Sequence, residues 1–113
     1  MVIYMSRFTA ESDRYLMAYG ADHILGSFVQ VFDKQLDPDD QLVVDISNLG
    51  VELSSSESFN ENQKRVLDEI VNAFEAARKQ GNQYPNIDAQ RIHIVAVSFG
   101  IDVPLIEIYK ALD

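Results

Sequence analysis

A chain of 113 residues with 47% hydrophobic and 24% charged side chains has material for one hydrophobic core and not for two, so it reads as a single domain, 1–113. Nine Lys and Arg against eighteen Asp and Glu leave a formal charge of −9, a surface that repels nucleic-acid phosphates and anionic headgroups and suits a basic protein partner. The absence of cysteine excludes disulfides, thiolate metal sites and a thiol nucleophile.

The start, MVIYMSRF, lacks the basic flank and long apolar stretch of a signal peptide, and Met5 offers an alternative start. No apolar run approaches the roughly 20 residues that cross a bilayer. A cytoplasmic protein without membrane contact is the expectation. Three alternating segments follow. RYLMAY sets Tyr15, Met17 and Tyr19 against Leu16 and Ala18; SFVQVFD sets Phe28, Gln30 and Phe32 against Val29 and Val31; QLVVDIS sets Leu42, Val44 and Ile46 against Val43 and Asp45. Period two with β-branched and aromatic residues predicts half-buried strands, joined by GADHILG and KQLDPDD into a three-strand antiparallel meander. The aromatic side of the middle strand, Phe28 and Phe32, is expected to face the core and set the register.

NLGVELSSSES breaks the periodicity. Ser58 and Glu61 then have capping-box spacing, ahead of a helix over about 58–80 whose stripe is Phe59, Val66, Leu67, Ile70, Val71, Phe74 and Ala77, with Gly81 placed to end it. Asp88 is an N-cap candidate, with Ile87 and Ile92 spaced as a hydrophobic staple, for a helix over about 88–99. A last helix over about 103–112 would bury Leu105, Ile106, Tyr109 and Leu112. A buried strand over 91–99 is the alternative for RIHIVAVSF, since that segment is rich in β-branched residues. The expected class is α+β, the meander packed on one face against three C-terminal helices.

The chemistry-bearing patterns are sparse. Val95, Ala96, Phe99, Gly100, Ile101, Ile106 and Tyr109 have the spacings of a helix-turn-helix, yet the second helix offers only Glu107 and Lys110 as charges. A reading helix needs Arg, Lys, Asn or Gln at base edges, so the unit reads as a structural corner and nucleic acid as no partner. Asp22 and His23 would point to opposite sides in a strand and have no nucleophile at triad spacing, so a turn between Gly20 and Gly26 is preferred to a small enzyme built on that pair. His93 completes only two histidines, without zinc-ligand spacing, and no glycine lies in a phosphate-loop pattern. No catalytic, cofactor or metal site is expected.

The acids are concentrated toward the N-terminal side. Asp33, Asp37, Asp39 and Asp40 bunch in DKQLDPDD, without the central Gly and terminal Glu of an EF-hand loop. These four are the candidate protein-binding residues of a small acidic adaptor or regulatory domain. An inhibitor that mimics nucleic acid is the alternative, because carboxylates on one face present a field comparable to a phosphate row.

Overall fold

A computed structural model of the chain describes residues 5–24, 26–81 and 83–113. Residues 1–4, 25 and 82 lie outside the described residues. Five strands, β1 (Met5–Glu11), β2 (Tyr15–Asp22), β3 (Gly26–Asp33), β4 (Leu42–Ser47) and β5 (Gly50–Leu53), pair in chain order as one antiparallel meander. Three helices follow: α1 (Glu61–Gly81), α2 (Ala89–Ser98) and α3 (Leu105–Leu112). The class is α+β, and no helix among the described residues is long and apolar enough to cross a membrane.

The expected three strands are the centre of a five-strand sheet. The flanking pair left little trace in the sequence. The inward side of β1 is Ser6, Phe8 and Ala10, opposite Ala21, Tyr19 and Met17, so only one large apolar residue marks its period. β5 has four residues and runs straight into the serine cluster.

The register settles which side of the sheet is inside. Met17 faces Val31, and Val31 faces Val44; Tyr19 faces Val29, and Val29 faces Ile46. These rows join Leu67, Ile70, Phe74, Ile92 and Ile108 from the helices in one buried cluster. The aromatic side of β3 is therefore the outer one, and the expectation for Phe28 and Phe32 is reversed. β-branched Val29 and Val31 fit between flat rows of neighbours and the helices without leaving voids. Between Val31 and Phe32 the ladder to β4 slips, so that Phe32 faces Leu42 and Val43 is an extra residue. This bulge turns Leu42 outward and leaves Val43 buried, against the simple alternation read from QLVVDIS.

At Gly20, inside β2, an added Cβ would overlap the Ser6 carbonyl, so this glycine serves close strand approach rather than the turn. Gly26 opens β3 at φ +61°, the left-handed region in which glycine is favoured.

Helix α1 begins two residues later than the Ser58 cap predicts. Ser56–Ser58 form one 3₁₀ turn, and the capping box belongs to Asn60 and Gln63. The Gln63 N–H donates to Asn60 Oδ1 at 2.8 Å and the Asn60 N–H donates to Gln63 Oε1 at 2.9 Å. Gln63 is buried, and its Nε2 donates to the Ser98 carbonyl at 3.1 Å, tying the start of α1 to the end of α2. Gly81 is the last residue of α1 rather than the one after it. Asp88 caps α2 as its spacing predicts, accepting from the Arg91 N–H at 2.8 Å, with Ile87 and Ile92 both buried. The segment 91–99 is therefore helical up to Ser98, and the strand alternative fails.

Helix α3 buries a different stripe from the expected one. Ile108 and Ala111 are inside and Leu105 and Leu112 are half-buried, whereas Ile106 is 60% exposed and Tyr109 46%. The Ser6 hydroxyl donates to the Ala111 carbonyl at 2.8 Å, fixing the helix over β1 and setting its rotation. The exchange of faces gives a direct check. In urea melts of dilute protein Ile108→Ala should cost about 2–5 kcal/mol, and Ile106→Ala no more than about 0.5 kcal/mol. Equal losses would place Ile106 in the core.

Candidate protein-interaction surface

All three helices pack on the valine side, so the opposite side of the sheet faces outward. Its residues follow from the register. The first cross-strand row is Glu11, Leu16, Phe32 and Leu42, the last three apolar side chains directly opposite one another. Leu16 and Phe32 are half-buried and Leu42 is exposed. The second row is Thr9, Ala18, Gln30, Asp45 and Glu52. In it Arg7 Nη1 donates to Gln30 Oε1 at 3.0 Å, and Gln30 Nε2 lies 3.5 Å from Asp45 Oδ1. Deeper in the face Phe28, only 3% exposed, sits opposite Gly20 with the Arg7 guanidinium 5.9 Å from its ring centre.

Asp45 and Glu52 stand directly across the β4–β5 ladder. Like charges opposite one another destabilise a strand pair by roughly 0.2–1 kcal/mol relative to a neutral pair. Two shallow clefts flank them, one lined by Gln30, Ser47 and Leu49 and the other by Leu42, Leu53 and Ser54, of about 120 and 140 Å³. The apolar row and these two carboxylates thus lie side by side on the open face. Sequence reasoning passed over this pair, although Asp45 is the lone charge in the alternating run LVVDIS.

The four aspartates singled out in the sequence separate into two roles. Asp37, Asp39 and Asp40 are exposed on and beside the 3₁₀ turn Pro38–Asp40. Asp33 is 1% exposed on the inner side of β3, where it cannot join them on a contact surface. It accepts from Arg14 Nε at 3.2 Å and Arg14 Nη2 at 2.9 Å, and from the Gln35 N–H at 3.0 Å. Lys34 Nζ donates to Glu11 Oε2 at 2.9 Å and to the Ser12 carbonyl at 2.7 Å, and the Asp33 N–H donates to the Gln41 carbonyl at 2.7 Å. The acidic loop thus leaves β3 and enters β4 from fixed ends, beside Phe32 and Leu42 of the apolar row.

Asp22 closes β2, and its Oδ1 accepts from the Ile24 N–H at 2.8 Å, a local turn bond. His23 is exposed at the tip of that hairpin, and His93 lies on α2, so the two histidines stand on separate elements. Among the described residues no group of three or more His, Asp or Glu side chains is placed to hold a metal ion. No protein-family model, curated protein or solved structure matches the chain.

The Arg14 hydrogen bonds hold the Asp33 carboxyl below the usual carboxylate range, helped by the Gln35 N–H and opposed by burial. A depressed folded-state pKa contributes stability that is complete above the unfolded value and is lost as pH falls through the folded one. Asp33→Asn should therefore be less stable than wild type at neutral pH and lose less stability on acidification below about pH 5. Arg14→Ala, which strands a buried carboxylate, should cost about 1–3 kcal/mol at neutral pH. Parallel stability–pH curves for wild type and Asp33→Asn would contradict this role.

Proposed function

We propose that this chain is a small acidic cytoplasmic domain that binds a basic protein through the open face of its sheet, and that it is not an enzyme. The observation that carries the reading is the Asp45–Glu52 pair held directly opposite on that face beside the row Leu16, Phe32 and Leu42. Such a pairing weakens the sheet. A partner lysine or arginine between the carboxylates relieves the repulsion, while the apolar row supplies area removed from water. Asp37, Asp39 and Asp40 extend the negative field and steer a basic partner toward the face. The nucleic-acid-mimic reading draws less support, because burial of Asp33 shortens the acidic row it needs. The enzyme reading on Asp22 and His23 draws less still, since that carboxylate serves its own turn.

The test uses a fluorescein-labelled peptide of alternating leucine and lysine as a probe of the face, followed by anisotropy. Wild type should bind it saturably and more weakly as salt rises. Glu52→Lys should weaken binding about tenfold or more, with no loss of stability in urea, because the like-charge opposition is removed. Asp68→Lys, the same charge change on the exposed side of α1, should shift binding less than about twofold. Equal effects of the two substitutions would reduce the interaction to net charge and end the proposal.

A further inference from the structure

The row Thr9, Ala18, Gln30, Asp45 and Glu52 ends at β5, the last strand of the sheet among the described residues. The bonding phase of β5 decides which of its main-chain groups are spare. In an antiparallel pair, alternate residues exchange both bonds with the neighbouring strand. The Ser54 N–H donates to the Val43 carbonyl at 3.0 Å, so the bonded pairs are Val43 with Ser54, Asp45 with Glu52 and Ser47 with Gly50. Val51 and Leu53 therefore turn their N–H and carbonyl groups away from β4, toward the open edge. Their side chains lie on the inner side of the sheet, opposite Ile46 and Val44, while Glu52 between them lies on the outer side. Val51 packs at the margin of the core, and Leu53 is 37% exposed.

We infer that the β5 edge takes an extended segment of a basic partner as a sixth, antiparallel strand. The inference rests on the binding role proposed above and gives that role its geometry. A segment of alternating apolar and basic residues satisfies the edge in three ways. Its apolar residues stand opposite Val51 and Leu53, bond to their outward N–H and carbonyl groups, and cover their open sides. The basic residue between them stands directly opposite Glu52, in the same row as Asp45, and makes an opposite-charge cross-strand pair. The main-chain bonds supply affinity and the alternate side chains supply selection. Antiparallel addition continues the meander and is the more stable pairing per residue. Two other arrangements fit worse. When β5 of a second copy pairs through the same main-chain groups, Val51 meets Leu53 and Glu52 meets its own counterpart, like charges directly opposite. The other end of the sheet, β1, presents Arg7 on its outer side, which repels a basic strand. Glu11 on that strand is bonded by Lys34 at 2.9 Å.

Fluorescein-labelled peptides of alternating leucine and lysine, equal in length and charge, test the inference by anisotropy against the whole chain. One is unmodified, one carries N-methyl groups on its leucines, and one carries them on its lysines. With lysine opposite Glu52, the leucine N–H groups donate to β5 and the lysine N–H groups point to solvent. Methylation of the leucines should weaken binding about tenfold or more, and methylation of the lysines less than about twofold. Equal affinity of all three peptides, with Glu52→Lys still weakening each, overturns the edge and leaves the outer-face reading standing. Equal weakening by both methylations, or weakening by lysine methylation alone, overturns the edge phase and the inference with it. Failure of the unmodified peptide to bind removes the inference together with the reading it rests on.

Discussion

One layer of helices has to cover five strands, and it covers them from one side only. That constraint governs the rest of the molecule. The inner rows Met17–Val31–Val44 and Tyr19–Val29–Ile46 are filled by Leu67, Ile70, Phe74, Ile92 and Ile108, and nothing in the helical layer remains for the outer side. The outer side must then hold its own structure against water. It does so with small residues at Ala18 and Gly20, with Phe28 sheltered opposite Gly20 beside Arg7, and with the Arg7–Gln30 hydrogen bond across the strands. It also carries the carboxylate pair at Asp45 and Glu52, directly opposite across the β4–β5 ladder, and the binding role proposed for the face rests on that pair.

Much of the architecture was legible where a single physical signal decided the matter. The stripe through Val66, Leu67, Ile70 and Phe74 marked α1, and the Asp88 cap with the Ile87–Ile92 staple outweighed the β-branched composition of RIHIVAVSF. A cap and a staple are local geometry, whereas β-branched content reports only that a segment is buried. The failures have local causes too. Two alternating sets of large apolar residues in SFVQVFD offer two insides, and only the helices that arrive later in the chain choose between them. Likewise VPLIEIYKAL has apolar residues nearly all round, so its inner stripe depends on the Ser6 contact from the far end of the sequence.

The acidic loop shows the same limit in function. From composition, Asp33, Asp37, Asp39 and Asp40 are one cluster. In the fold, period two sends Asp33 inward to Arg14 and leaves the other three on the surface. The buried member is a fastener: it fixes the loop that presents its neighbours. Asp45 and Glu52 become a pair through the tight β4–β5 turn, and reading NLGVELSSSES as a break without periodicity hid the second strand of that hairpin.

The choice of inner face in β3 is the point on which the outward row, the acidic pair and the helical packing all depend. It is tested most directly by a pair of adjacent substitutions followed by thermal melting and near-ultraviolet circular dichroism. Phe32→Lys should leave a cooperative fold, since it removes only cross-strand apolar contacts worth about 0.2–1 kcal/mol each on the open face. Val31→Lys should abolish the cooperative fold, since it forces an unpaired ammonium into a fully buried site. A chain that tolerates lysine at Val31 and unfolds with lysine at Phe32 would turn the sheet over and contradict the account.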